Sequence, residues 1–485
     1  MGNMGKGGVD SQLADQQDRE SYRRAHEQLD QMRIPVLLPK DDPHARLYIA
    51  ALDGTGNSMV NNDPKSWSVV ARVSAQIDHL EKTGVSNIAG GYVEGTFTQE
   101  GVLRTPERLL DGRFGHSFDE RVETAYFQFC VQAREWLRED PEAKIRMAGI
   151  GFSRGAEEVA ALERMVHERG IRDPADAKVI RDRDDVIQSI QYADRPPLVA
   201  PGKTIQAALL LEPVATGVED EVRHLPGSNI NVFEVSAEDE RRDLFKDNDH
   251  VPPGLSADGR QLNVMVAGAH SDIGNTYAKN GLGALSFNLS AEYLNRLAEV
   301  PYLQKQQVPD DLAQYVIHRS DRHMMGLYRT QSYDKDGVRD KVNDQSPMPG
   351  IQHRDPIDPA LAAQVKWRQG PAPSFAPETP AAPKFEQQPQ PKPIKEEDRT
   401  RGGGPRSSTD DLLDRAFSAY MGDDHAMFAD VISSYRRSPA GQAWQSEQTQ
   451  FSESTKAQEA ANDAQRAAAL MEHQQHMQRA VVMHL

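Results

Sequence analysis

The residues best placed to do chemistry lie in one pentapeptide. Gly151-Phe152-Ser153-Arg154-Gly155 fits G-x-S-x-G, the turn that presents a nucleophilic serine. It directly follows the apolar run RMAGIGF and opens the helical pattern GAEEVAALERMVHERG. A strand-to-helix turn this sharp needs small residues around the serine, and Gly151, Gly155 and Ala156 supply them. The helix N-terminus then faces the hydroxyl, where its positive end favours developing negative charge. The backbone N–H of Arg154 is the expected first oxyanion donor.

A serine needs a base, and in this kind of site the chain order is serine, acid, histidine. Among the 15 histidines, His270 stands apart, because it directly follows the strand pattern NVMVAGA and precedes Ser271-Asp272-Ile273-Gly274. Loops at the C-terminal ends of strands build the site in open α/β sheets. His318, in YVIHRSDRH, is the second candidate. For the acid, Glu212 ends a strand pattern in LLLEPVATG and is the first choice. A carboxylate there orients the imidazole and stabilises its charged form. Asp272 is the alternative acid, two residues from His270, and Glu234, Glu238 and Asp239 are further rivals. Asp53-Gly54-Thr55-Gly56-Asn57 follows the first strand, and Gly54 or Thr55 is the expected second oxyanion donor. Gly90-Gly91-Tyr92 and Gly95-Thr96 are expected to line the site as well.

These residues sit on a regular alternation over roughly 45–330. LYIAAL, SNIAGGYV, KIRMAGIGF, TIQAALLLEPV, NINVFEVSA and QLNVMVAGA read as strands; ERVETAYFQFCVQAREWLRE and GAEEVAALERMVHERG read as helices. Near-continuous apolar strands between helices predict a mostly parallel sheet covered on both faces, an α/β class of the α/β-hydrolase type. No lid helix is obvious, and 155–200 and 275–330 are the segments with room for one. Residues 1–44 form a polar segment, helical near 10–32, and 331–370 a peripheral extension of the catalytic domain. The Pro/Gln/Gly-rich stretch 371–407 cannot form a core and is a disordered linker. The Ala/Gln-rich segment 408–485 is expected to be a helical tail, with Ser408 or Thr409 capping its start.

Composition narrows the function classes. The chain has 485 residues, with 56 Lys and Arg against 73 Asp and Glu, a formal net charge of -17. Such a surface repels phosphate backbones, so nucleic acid is an unexpected partner. Contact with an anionic membrane would be local and transient. Cys130 is the only cysteine, which excludes internal disulfides and cysteine-based metal sites; it lies in an apolar helical pattern and is expected in the core. Neither GxxxxGK[ST] nor GxGxxG occurs, and serine ester hydrolysis requires neither cofactor nor metal. The first residues, MGNMGKGGVDSQLADQQDRE, lack an apolar h-region, so synthesis in the cytoplasm without a signal peptide is expected.

LDGTGN, GIGFSRGA, LLLEPVATG, VSAEDERRDLF and GAHSDIGN, in that order, resemble the catalytic domain of bacterial type VI secretion lipase effectors, a phospholipase-like family with an α/β-hydrolase core. In that family the serine of GFSRGA is the nucleophile, which maps to Ser153, and the histidine of the HSD-glycine block maps to His270. The family has Asp where this chain has Glu212, and Asn275 follows Gly274 where the family continues with glycine. The resemblance implies hydrolysis of ester or phospholipid substrates, delivery into target cells by a specialised secretion system, and a cognate immunity or inhibitor protein. Gln-rich tails after a linker also occur in antibacterial type IV secretion effectors, so the tail is a candidate contact for either secretion apparatus. Two other readings stand beside this one: a non-catalytic binding or scaffold protein on a hydrolase fold, and a housekeeping cytosolic esterase whose tail drives oligomerisation.

Overall fold

The computed structural model describes residues 11–320 and 354–371, except 56, 60–63, 96–113, 182–186, 216–217, 219–223, 243–244, 246–247 and 278. Its elements run β1 (Ser11–Leu13), α1 (Gln16–Gln31), β2 (Ile34–Val36), β3 (Ala45–Leu52), α2 (Val69–Lys82), β4 (Ile88–Val93), α3 (Phe114–Glu139) and β5 (Lys144–Phe152). They continue α4 (Arg154–Arg169), β6 (Lys178–Arg181), β7 (Ile187–Gln191), β8 (Ile205–Leu211), β9 (Asn229–Ala237), β10 (Gly254–Leu255), β11 (Gln261–Val266), α5 (His270–Ile273), α6 (Gly281–Arg296), β12 (Val316–His318), α7 (Pro359–Ala362) and β13 (Lys366–Arg368).

Seven strands form the central sheet in the order β10-β11-β9-β8-β5-β3-β4, all parallel except the short edge strand β10. This is the α/β fold expected from the apolar strand patterns. Strand alternation divides the core. Leu47, Ile49 and Ala51 pack with α1, α2 and α6, whereas Tyr48, Ala50 and Leu52 pack with α3 and α4. Each fully buried Leu, Ile or Phe contributes about 1.5–3 kcal/mol, so the two layers together fix the register of every central strand. Chain order turns back at β3: β4 lies on one side of it and β5, β8, β9 and β11 follow on the other. The C-terminal ends of β3 and β5 therefore flank a topological switch point, where open α/β sheets bind ligands.

The packed body reaches beyond the expected 45–330. Asp15 caps α1 through a reciprocal pair: its carboxylate accepts from Asp18 N at 2.9 Å, and Asp18 accepts from Asp15 N at 2.6 Å. Ser21, Tyr22, Ala25 and Leu29 then recur at helical spacing and are buried against the sheet. The segment is polar on average, yet this one stripe joins the core. At the other end, β13 pairs with β2, and Asp355 accepts from Arg164 Nη1 at 2.7 Å. Within 275–330, where a lid had room, α6 is instead core: every one of its residues but Leu285 and Asn288 is buried. The linker after residue 371 and the C-terminal tail lie outside the described residues. Among the described residues no helix is long and apolar enough to cross a membrane.

Candidate active site

Ser153 occupies the single residue between β5 and α4, with φ 59° and ψ -128°. A non-glycine residue held at positive φ costs about 1–3 kcal/mol and persists only where its surroundings enforce it. Here Ser153 N donates to Leu211 O at 2.9 Å, and Ser153 O accepts from Ala156 N at 3.0 Å. The flanking glycines are obligatory on contact grounds. A Cβ on Gly151 would lie 2.3 Å from Gly155 O, and one on Gly155 would lie 2.2 Å from Leu52 O. Ser153 stands at the N-cap position, but its side chain makes no capping hydrogen bond.

Glu212 and His270 follow the neighbouring strands. Leu211 pairs with Phe152, so Glu212 is the register partner of Ser153, one strand across. Glu212 also has a positive φ, 47°, where β8 breaks from the sheet. One of its carboxylate oxygens, Oε2, accepts from Ala237 N at 2.5 Å. The other, Oε1, lies 3.5 Å from His270 Nδ1, both side chains being buried. That separation is an ion-pair distance at the outer limit of a hydrogen bond. Two aromatic rings box the imidazole: Phe152 with its centroid at 4.6 Å and Phe245 edge-on at 4.9 Å. Burial pushes the His270 pKa below the ordinary imidazole value, outweighing the opposing pull of Glu212. That shift favours the neutral form of the ring.

The structure separates these residues from their rivals. The Asp272 carboxylate turns to His318: Oδ1 lies 2.5 Å from His318 Nδ1, and Oδ2 accepts from His318 N at 3.0 Å and Ala269 N at 2.9 Å. The alternative acid and the alternative base are therefore partners of each other. Glu234 accepts from His250 N and Asn263 Nδ2, and Asp239 from Gly268 N. Glu238 is exposed.

The loop after β3 is organised by Asp53, a residue whose part the sequence did not reveal. Its buried carboxylate accepts from Ser68 Oγ at 2.6 Å, Tyr92 Oη at 2.8 Å and Gly54 N at 2.8 Å. Burial nevertheless pushes its pKa up to about 6 against these three donors. The Gly54 amide is thereby committed to Asp53, while Thr55 Oγ1 accepts from the Arg154 guanidinium. Arg121 of α3 ties the same corner together. It forks onto Glu158 at 2.7 and 2.8 Å and donates to Asp53 O at 3.2 Å. Tyr92 joins the site through Asp53, and Gly95 packs on Gly54, where a Cβ would meet the Gly54 carbonyl at 1.7 Å. Thr96 and Gly56 lie outside the described residues. Nothing local in the sequence announces Arg121 or Glu158, because each meets the site from the middle of a helix. Cys130 is buried, as expected, and burial pushes its thiol up to about 12.

Residues 46–200 match the family described as T6SS, Phospholipase effector Tle1-like, catalytic domain. The resemblance carried by LDGTGN and GIGFSRGA thus holds over that span. No curated protein matches the chain. Among solved structures, the chain is similar to the Tle1 effector bound to the VgrG spike of the type 6 secretion system, at 18% identity and a TM-score of 0.28, covering 48% of this chain and 51% of that one. The chain thus spans about half the length of that effector. It is also similar to a dienelactone hydrolase from Anabaena variabilis, at 12% identity and TM-score 0.21, covering 48% and 79% of the two chains. A thermophilic esterase from Thermogutta terrifontis aligns at 15% identity and TM-score 0.23, covering 56% and 90%.

Proposed function

We propose that the chain is a serine ester hydrolase of the phospholipase type, with Ser153 as nucleophile, His270 as general base and Glu212 as the acid that orients it. One observation carries this reading. A serine with positive φ, whose hydroxyl does no capping, lies one strand from a buried Glu212–His270 pair at the switch point of a parallel sheet.

In the reaction, His270 Nε2 takes the proton of Ser153 as Oγ attacks the ester carbonyl. The Glu212 carboxylate faces Nδ1 and stabilises the imidazolium that forms, and the 3.5 Å gap closes as charge develops. The Arg154 N–H, first in α4, donates to the oxyanion. Thr55 N–H is the second donor, since Gly54 serves Asp53. His270 then returns its proton to the leaving alcohol, and water resolves the acyl-enzyme by the same route. A neutral, buried His270 suits the first step, and the neighbouring carboxylate suits the second.

The match of residues 46–200 to a phospholipase effector family favours phospholipid as substrate and export by a type VI apparatus into rival cells, with an immunity protein guarding the producer. Hydrolysis of phospholipid vesicles by the purified chain tests the reading. Ser153→Ala should lose roughly 10⁴-fold or more in kcat. Equal rates for wild type and Ser153→Ala, or no hydrolysis of any ester by either, would remove the catalytic reading and leave the binding-protein one.

A further inference from the structure

The loop that carries His270 is held in an unusual way. Its backbone leaves β11 after Val266, and its next four amides all go to side chains. Ala267 N donates to Ser21 Oγ at 3.0 Å, Gly268 N to Asp239 Oδ2 at 2.9 Å, Ala269 N to Asp272 Oδ2 at 2.9 Å and His270 N to Glu240 Oε2 at 3.3 Å. Gly268 stands at φ 121°, and a Cβ there would lie 2.9 Å from Asp272 Cβ. A loop lifted off the sheet ladder must find its partners elsewhere, and here each comes from a different point.

Two of these anchors trace back to the N-terminal segment. Helix α1 grips both polar groups of Ala267, since Tyr22 Oη donates to the Ala267 carbonyl at 2.9 Å while Ser21 accepts from its amide. Asp272, the third anchor, is fixed by His318, on whose ring Tyr277 stacks with centroids 3.8 Å apart. His318 lies on β12, opposite Ser11 of β1. Ser21, Tyr22, Asp272 and His318 are all buried.

We propose that residues 11–31 and β12 form a clamp on the histidine loop, with Ser21, Tyr22 and His318 as positioning residues for the base. The clamp rests on the assignment of His270 as base in the proposed hydrolase. A displaced base slows proton transfer without changing how substrate is bound, so the clamp acts on kcat.

The full chain is assayed for kcat and KM on phospholipid vesicles, and for the rate at which a fluorophosphonate labels Ser153. His318→Leu and Tyr22→Phe should each lower kcat and the labelling rate about tenfold with KM changed by less than about twofold. Tyr22→Phe keeps the buried ring and so keeps the fold. His318→Asn should recover most of the loss, because its amide nitrogen takes the place of Nδ1 against Asp272. Folded variants with unchanged kcat and labelling would overturn the clamp while leaving the hydrolase intact. A His318→Asn variant as slow as His318→Leu would overturn it too. A wild type that neither hydrolyses ester nor takes the label would overturn the base assignment and the clamp with it.

Discussion

Two buried carboxylate–imidazole pairs lie within a few residues of each other on the histidine loop, and they are built differently. Asp272 and His318 meet at 2.5 Å, and Asp272 accepts from two further backbone amides. Glu212 and His270 stand 3.5 Å apart, with one carboxylate oxygen on a backbone amide and the other facing the ring. The looser pair includes Glu212, which stands one strand across from Ser153 in register. In the proposed reaction the Glu212–His270 pair tightens as charge develops on the imidazole, whereas the Asp272–His318 pair is already closed. Contact length alone favours Asp272–His318; register with Ser153 favours Glu212–His270, the pair of the proposed reaction.

The sharpest way to break this contrast is to remove each carboxylate in turn. Glu212→Ala should cost about 10³–10⁴ in kcat, since the imidazole loses the group that orients it. Asp272→Ala should cost only about tenfold in kcat, through misplacement of the loop. Steady-state kinetics on the two purified variants would refute the assignment if the order were reversed.

Stability should rank them the other way. Asp272→Ala orphans the Ala269 amide, the His318 amide and the His318 ring, and breaking such a buried pair costs about 3–5 kcal/mol. Glu212→Ala removes the bond from the Ala237 amide and relieves a buried carboxylate, a loss of about 1–2 kcal/mol. Urea denaturation of both variants measures the difference, and equal midpoints would show that the tight pair is not the structural one.

The pH dependence sharpens the comparison further. His270 is pushed below the ordinary imidazole value, chiefly by burial, and in the proposed reaction it accepts a proton only when neutral. The acidic limb of kcat/KM should therefore fall below the ordinary value of about 6.5, with activity constant above it. An acidic limb at or above that value would mean that Glu212 outweighs burial. The smallest effect concerns the neighbouring corner. Asp53, raised to about 6, prefers its proton in the folded state, so its contribution to stability is greatest at low pH and falls as pH rises through 6. Asp53→Asn should flatten that part of the stability–pH curve, and an unchanged slope would place the titration elsewhere.

Much of this architecture was legible in the residues. KIRMAGIGF and NINVFEVSA coincide with β5 and β9 end to end, because strands buried on both faces are near-continuous apolar runs. The elbow was legible because its glycines are local requirements of one turn. Helix α6 was not, since it is buried nearly all round and carries polar residues with private partners, such as Asn295 on Leu303 and Arg296 on Glu292. Nor was the share of α1 in the core, which rests on four residues of a polar helix. The pairing of Asp272 with His318 joins positions 46 apart, and no spacing rule reaches that far. Glu212 was legible as the residue that ends a strand pattern, but its left-handed backbone gives no sign in the sequence.

The bond from Tyr22 to Ala267 spans 245 residues, which sets a clock on biosynthesis. At ~5–20 residues per second a ribosome needs about 12–50 s to deliver Ala267 after Tyr22 has been made. During that interval α1 waits without this acceptor, and the strands from β3 to β9 are made. The loop that carries His270 closes on α1 only when the residues after β11 have been made. A ribosome stalled between β9 and β12 thus carries the Ser153 turn without the strand that supplies His318.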